Sequence, residues 1–374
     1  MGLPVIMSGP RYTPLVDQLP STVPFVGPEV QERAQGFEFA ARIGANENVF
    51  GPSPKAIEAM QAADADIWMY ADPTNQDLRN ALAEHHKIAP ENIIVGEGID
   101  GLLGYLVRML VGEGNAVVTS QGAYPTFNFH VAGFGGVLHT VPYLRDHEDP
   151  DALVAKAAEV DAKLVYIANP DNPMGTWHHC DEIARMVENL PDGALLVLDE
   201  AYIEFAESEA IATIDINDPR VIRFRTFSKA YGMAGARCGY GLAHPDLITS
   251  FNKIRNHFGM NRSAQHGALA ALRDQAWLGR TVGMVKDARE RIAKIASDNG
   301  LTTLPSATNF VAMDCGQDGE FAARVLKELI SQGIFVRMPF VAPQNRCIRV
   351  GCGTEEDLAK FAEALPIALS RAAG

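Results

Sequence analysis

Between residues 75 and 228, short runs rich in β-branched and apolar residues alternate with stretches of helical periodicity. The runs are "NIIVG" (92–96), "AVVTS" (116–120), "KLVYIANP" (163–170), "ALLVLDEA" (194–201) and "VIRFRTFS" (221–228). Among the helical stretches, "NQDLRNALAEHHK" (75–87) places Leu78, Ala81, Leu82 and His85 on one face. "GLLGYLVRMLV" (101–111) is mostly apolar, and "CDEIARMVENL" (180–190) lies between two of the runs. Strands that alternate with helices pair in parallel, because each return crossing needs a helix, and the helices cover both faces of the sheet. This pattern excludes all-α and all-β architectures for the middle of the chain.

Past residue 250 the texture changes. "LGRTVGMVKDARERIAKIASDNG" (278–300) reads as a long charged helix ending at a glycine. "NFVAMDC" (309–315), "IFVRMP" (334–339) and "CIRVGCG" (347–353) read as short strands, and "EFAARVLKELISQG" (320–333) and "TEEDLAKFAEALPIAL" (354–369) as amphipathic helices. A length of 374 residues suits two domains. The expected division is an N-terminal arm over 1–45 that joins the smaller domain or a partner, a large domain over 46–250, and a smaller α+β domain over 251–374.

The formal net charge of −14 leaves no footprint for nucleic acid or for anionic membranes. No apolar stretch has the length of a membrane-crossing helix, and the start lacks a basic region before an apolar run. Cys180, Cys238, Cys315, Cys347 and Cys352 are odd in number and form no CxxC pair, which fits reduced thiols in the cytoplasm. The paired histidines at 85–86 and 178–179 lack metal-ligand spacing and are expected to cap helices or be solvated. No metal site is expected.

The chemistry-bearing residues gather where the strands end. "IANPDNPMGT" puts Asn172 just after one strand, "LLVLDEAYIEF" ends another at Asp199 with Tyr202 three residues on, and "TFSKAYGMAGAR" follows a third with Thr226, Ser228, Lys229 and Arg237. In an open parallel sheet ligands bind beyond the carboxyl ends of the strands, so these residues can share one crevice. "VGEGIDG" (95–101) matches the glycine pattern of dinucleotide-binding turns. The following strand, however, ends in Ser120 and Gln121, without the acidic residue that holds a ribose. What survives is a phosphate cradle of backbone N–H groups at Gly98, Ile99 and Asp100.

In combination and in this order, N-P-x-N-P-x-G, D-E-A-Y and S-K-x-x-G-x-x-G-x-R resemble the pyridoxal-phosphate-dependent aminotransferases of fold type I, class I/II. Within that group the chain is most similar to the histidinol-phosphate aminotransferases, from "GANENVFGPSP" (44–54) to "IRVGCGTEEDL" (348–358). The resemblance implies a mainly parallel seven-stranded sheet in the large domain and a homodimer. It implies that Lys229 carries pyridoxal 5′-phosphate as a Schiff base and moves the substrate proton. Asp199 would pair with the ring N–H and make the ring an electron sink. Tyr202 and Asn172 would bond the phenolate oxygen, and Thr226, Ser228, Arg237 and the amides at 98–100 would surround the phosphate. Tyr124 would stack on the ring, with Phe127 as its rival, and Tyr70 would reach the phosphate of the neighbouring subunit.

For the substrate, the resemblance points to Arg349 and Arg337 as anion binders and to Asn46 and Glu47 as pocket lining. An amino donor and a 2-oxo acid acceptor are the implied small-molecule partners, with histidinol phosphate and 2-oxoglutarate leading. An aromatic or other amino acid, and a threonine-phosphate decarboxylase-like lyase, remain alternatives. The chain departs from the pattern at Gly101, where a glutamate is usual, at Val49 and Phe50, and in "GAYPTF". These departures bear on the substrate rather than on the cofactor.

Overall fold

The structure is a computed structural model and describes residues 9–21 and 26–374. The remainder of the expected arm, residues 1–8 and 22–25, lies outside the described residues. The first strand, β1 (Ala41–Arg42), is short. The large sheet follows: β2 (Ile93–Gly96), β3 (Ala116–Ser120), β4 (Val137–Val141), β5 (Leu164–Ala168), β6 (Leu195–Asp199), β7 (Val221–Thr226) and β8 (Gly239–Ala243). Among the described residues these seven strands lie in the order β2-β8-β7-β6-β5-β3-β4. β3 to β7 are parallel throughout, and β8 runs antiparallel to both its neighbours.

Alternation along each strand divides the core between the two faces. Val117, Tyr166, Val197 and Phe224 pack with Leu102, Leu103 and Leu106 of the helix Gly98–Leu110. Val118, Val165, Leu196 and Leu198 pack on the opposite side with Ile183 and Met186 of the helix Cys180–Glu188. The sequence runs mark five of these strands and pass over β4 and β8. β8 reads "GYGLA", and its glycines weaken the strand pattern for a packing reason. A Cβ on Gly239 would sit 2.7 Å from the Ile99 nitrogen, so this edge of the sheet can lie directly under the start of a helix only without a side chain there.

The second body holds β9 (Thr302–Thr303), β10 (Phe310–Asp314), β11 (Ile334–Phe335) and β12 (Cys347–Gly351). β10 lies antiparallel between β9 and β12, and β1 pairs in parallel with β11. The helices Gln275–Asp298, Gly319–Ser331 and Glu355–Ala373 cover these strands around Phe310, Phe321, Val325 and Phe361. The helix Arg262–Arg273 packs instead on the helices Pro54–Asp64 and Gln76–His86. No helix among the described residues is long and apolar enough to cross a membrane.

Two of the histidines expected to cap or be solvated are packed instead. His86 Nε2 lies 3.0 Å from the Tyr240 hydroxyl, and burial pushes its pKa down to about 3. His178 is buried, with Nε2 2.8 Å from the Glu148 carbonyl. His179 does lie at a helix start, its N–H donating to Glu182 Oε2 at 2.9 Å.

Candidate active site

The parallel strands all deliver their carboxyl ends to one edge of the sheet, and a cavity of about 340 Å³ opens there. β6 contributes Asp199 as its last residue, and β7 contributes Thr226 with Ser228 and Lys229 just beyond it. The turn after β5 supplies Asn172, and the helix start after β2 supplies Ile99 and Asp100. The second body closes the far wall with Arg337 and Arg349, and the segment before the first long helix adds Asn46 and Glu47. Residues separated by most of the chain thus converge, as a crevice at strand ends requires.

Lys229 stands at the centre. Its Nζ donates to the Asn46 carbonyl at 3.0 Å and lies 5.5 Å from the centre of the Tyr202 ring. Burial lowers its pKa to about 8, helped by the positive charges of Arg349 and Arg237 and opposed by Glu47 and Asp199. Asp199 is 5% exposed, and burial pushes its carboxyl up to about 6. Tyr166 donates to its Oδ2 at 2.7 Å and the Ala201 N–H to its Oδ1 at 2.9 Å, and both bonds favour the ionised form. Tyr202 accepts from Asn46 Nδ2 at 3.0 Å, which leaves its own O–H to donate elsewhere. Burial raises the Tyr202 pKa, so this hydroxyl stays protonated.

One end of the cavity is built for an anion. Arg237, held in the left-handed region at φ 57°, donates from Nη1 to Ser228 Oγ at 3.3 Å and to the Ala234 carbonyl at 2.9 Å. Gly98 has φ +76°, and a Cβ there would fall 2.5 Å from Arg237 Nη2. The guanidinium therefore lies against the first turn of the helix Gly98–Leu110, whose leading N–H groups have no partner within the helix. Thr226 lines the same end, but its hydroxyl is spent locally: it donates to the Cys238 carbonyl at 3.2 Å and accepts from the Ser228 N–H at 3.0 Å.

Across the cavity Arg349 is half-buried and donates from Nη1 to Asn172 Oδ1 at 2.5 Å. Burial draws its pKa down to about 10, still far above neutrality. Its Nε is buried and makes no hydrogen bond among the described residues. Arg337 pairs backbone to backbone with Arg349, its N–H donating to the Arg349 carbonyl at 3.3 Å. Its Nη2 donates to the Val26 carbonyl at 2.8 Å.

Tyr124 lines the cavity, whereas Phe127 is buried and stacks on Tyr166 with ring centres 4.6 Å apart and planes at 18°. Tyr70 is remote from this cavity: it is 80% exposed, with its ring 4.7 Å from that of Phe258. Sequence reasoning missed Tyr166. A tyrosine inside "KLVYIANP" reads as core, and only the pairing of β5 with β6 reveals where its hydroxyl ends.

Comparisons with known proteins agree with this geometry. The family model described as aminotransferase class I and II matches residues 41–365. Histidinol-phosphate aminotransferase 1 of Nitrosococcus oceani is 35% identical over 345 residues, covering 91% of this chain and 92% of its own. The histidinol-phosphate aminotransferase of Anaeromyxobacter sp. is 36% identical over 332 residues, covering 88% and 90%. The crystal structure of histidinol-phosphate aminotransferase from Sinorhizobium meliloti, in complex with pyridoxal-5′-phosphate, superposes with a TM-score of 0.94 at 51% identity over 98% of this chain and 99% of that one. A Thermus thermophilus aspartate aminotransferase variant shares the fold, with a TM-score of 0.80 at 22% identity. With its crevice, its motifs and this extent of similarity, the chain belongs to the class I and II aminotransferases.

Proposed function

We propose that the protein is a pyridoxal-phosphate-dependent aminotransferase that takes the amino group of histidinol phosphate and passes it to 2-oxoglutarate. The observation that carries this reading is one cavity with an amine and a carboxylate between two anion-binding ends. The residues fit the cofactor. Ser228, Arg237 and the helix start at Gly98 suit a phosphate, Asp199 suits a ring N–H, and Lys229 suits an aldehyde. The buried, unpartnered Asn46 Oδ1 and Arg349 Nε mark polar atoms that a bound group can satisfy.

When bound, pyridoxal phosphate supplies an aldehyde for exchange with amines and a protonated ring that accepts electrons. The chain's own residues do the rest. Lys229, with its pKa near 8, holds or gives up a proton at Nζ close to neutral pH and so suits general acid–base work at the substrate Cα. Asp199 keeps a negative charge opposite the ring nitrogen. Tyr202 and Asn172 present donors to the ring oxygen, and Tyr124 offers a ring face. Arg349 and Arg337 are suited to the substrate's anionic group, the phosphate in one half-reaction and a carboxylate in the other.

A homodimer in the cytoplasm completes the proposal. Ile67, Trp68 and Tyr70 are 60%, 79% and 80% exposed within a few residues of each other, an unusual surface for a lone chain. This supports a role for Tyr70 at the phosphate of a neighbouring subunit. The decisive experiment mixes the cofactor-loaded protein with histidinol phosphate and follows the absorbance of the pyridoxal form into that of the pyridoxamine form. Conversion at micromolar to millimolar donor is expected, with recovery on adding 2-oxoglutarate. Conversion by phenylalanine but not by histidinol phosphate would overturn the substrate, and release of carbon dioxide from threonine phosphate would turn the reading to a lyase.

A further inference from the structure

Asp199 is a buried carboxylate of the cavity, 5% exposed. β5 and β6 pair with Tyr166 opposite Val197 and Ala168 opposite Asp199. Side chains at 166, 168, 197 and 199 therefore point to the same face. Tyr166 sits one step back from the strand end and Asp199 at it, so a side chain of tyrosine length spans the diagonal and brings its hydroxyl to Oδ2 at 2.7 Å. A phenylalanine would have the same shape and no donor.

The ring that carries this hydroxyl is fixed. Tyr166 is fully buried, and Phe127 stacks against it at 4.6 Å. The phenol pKa is raised by burial and by the neighbouring Asp199, so it is a protonated donor at neutral pH. The other oxygen of Asp199 is held by the Ala201 N–H at 2.9 Å. Two directed donors fix both the rotamer and the plane of the carboxylate. Of the charged groups nearby, Glu200 opposes its ionisation and Lys229 favours it, and Glu148, Tyr124 and Tyr202 also interact with it electrostatically.

We propose that Tyr166 is a positioning residue for the cofactor: its hydroxyl orients the Asp199 carboxylate and holds it ionised for the ring N–H. The inference rests on the aminotransferase reading above. It assigns to a residue of the apolar strand the task of making Asp199 an acceptor in advance of binding. Without the hydroxyl, Asp199 keeps its burial and loses a bond that favours its charge, so it takes up a proton at a higher pH. A protonated carboxyl no longer pairs with the ring, and affinity for the cofactor falls.

The test is the dissociation constant of pyridoxal phosphate for the full chain, measured by equilibrium dialysis from pH 5 to 8. The native protein is expected to lose affinity below about pH 6, where Asp199 titrates. In Tyr166→Phe that inflection should move up by about one pH unit, with binding about two- to fivefold weaker between the two inflections and approaching about tenfold weaker below both. Incorporating 3-fluorotyrosine at 166 preserves shape and strengthens the donor, so it should move the inflection down. Profiles of Tyr166→Phe and the fluorinated protein that overlay the native one would overturn the assignment. A failure of the native protein to bind pyridoxal phosphate at any pH would instead overturn the aminotransferase reading.

Discussion

Lys229 and Asn48 hold each other in place. The Asn48 side-chain amide donates to the Lys229 carbonyl and to the Ala230 carbonyl, each at 3.1 Å, while the Lys229 amine donates to the Asn46 carbonyl at 3.0 Å. Asn309 Nδ2 adds bonds at 3.1 Å to the carbonyls of Asn46 and Glu47. The segment 46–48 is therefore a clasp between the strand end bearing the lysine and the second body.

Asn48→Ala should damage both stability and loading. It strips the amide donor from two carbonyls beside a residue that is 8% exposed, and a buried acceptor without its partner costs about 1–3 kcal/mol. A thermal melt should show a lower Tm, and the cofactor absorbance per chain should fall. An unchanged melt with full loading would show that the clasp is incidental.

The lowered pKa of Lys229 predicts how fast cofactor-free protein captures pyridoxal phosphate. The unfolded chain holds the lysine proton up to its ordinary value of 10.5, whereas the folded chain releases it near 8. The capture rate should therefore climb about tenfold per pH unit up to roughly 8 and then level off, because only the neutral amine attacks the aldehyde. The same difference makes this group's contribution to stability rise between pH 8 and 10.5. Stopped-flow absorbance from pH 6.5 to 10 reads the plateau, and a rate still climbing past pH 9 would contradict it.

Gly98→Ala separates the phosphate grip from the rest of the site. The φ of +76° strains any residue with a Cβ by about 1–2 kcal/mol, and that Cβ would fall 2.5 Å from Arg237 Nη2. The guanidinium must move away from the helix start. The dissociation constant for pyridoxal phosphate should rise at least tenfold, while binding of pyridoxal, which has no phosphate, should change little. Equal loss for both ligands would place the damage elsewhere.

What the residues disclose by themselves follows a physical division. Asp199, Lys229, Ser228 and Arg237 are legible because their chemistry depends on local chain order: a strand that ends, then a turn that exposes a side chain. Tyr166 is not, because its partner is chosen by the register between β5 and β6, and an apolar run carries no trace of its neighbour's alignment. β8 escapes for a related reason. Its glycines answer to the approach of Phe224 and of the helix start, which belong to other parts of the chain. Arg346 shows the same dependence on distant parts of the chain. It holds Asp314 of its own body at 2.7 Å, and it reaches Asp146 of the other at 2.9 and 3.0 Å only once the two bodies meet.

Glu200, next to Asp199, illustrates how two adjacent carboxylates on one strand end take opposite roles. Its side chain is 1% exposed, yet burial is outweighed by Arg223 and Arg225, whose guanidinium groups lie 2.8 Å from its oxygens. Its pKa falls to about 2 from the ordinary 4.5. A depressed carboxylate contributes stability that is fully present above pH 4.5 and is lost as the pH drops toward 2. The shift corresponds to about 3 kcal/mol. Urea midpoints of the cofactor-free protein should therefore fall as the pH drops from about 4.5 toward 2. Glu200→Gln should flatten that dependence and lower stability at pH 7 by about 3–5 kcal/mol, because it strands two largely buried guanidinium groups without a counter-charge. A midpoint at pH 7 equal to the native one would mean that Arg223 and Arg225 find water or another acceptor, and the assignment of this network to stability would fail.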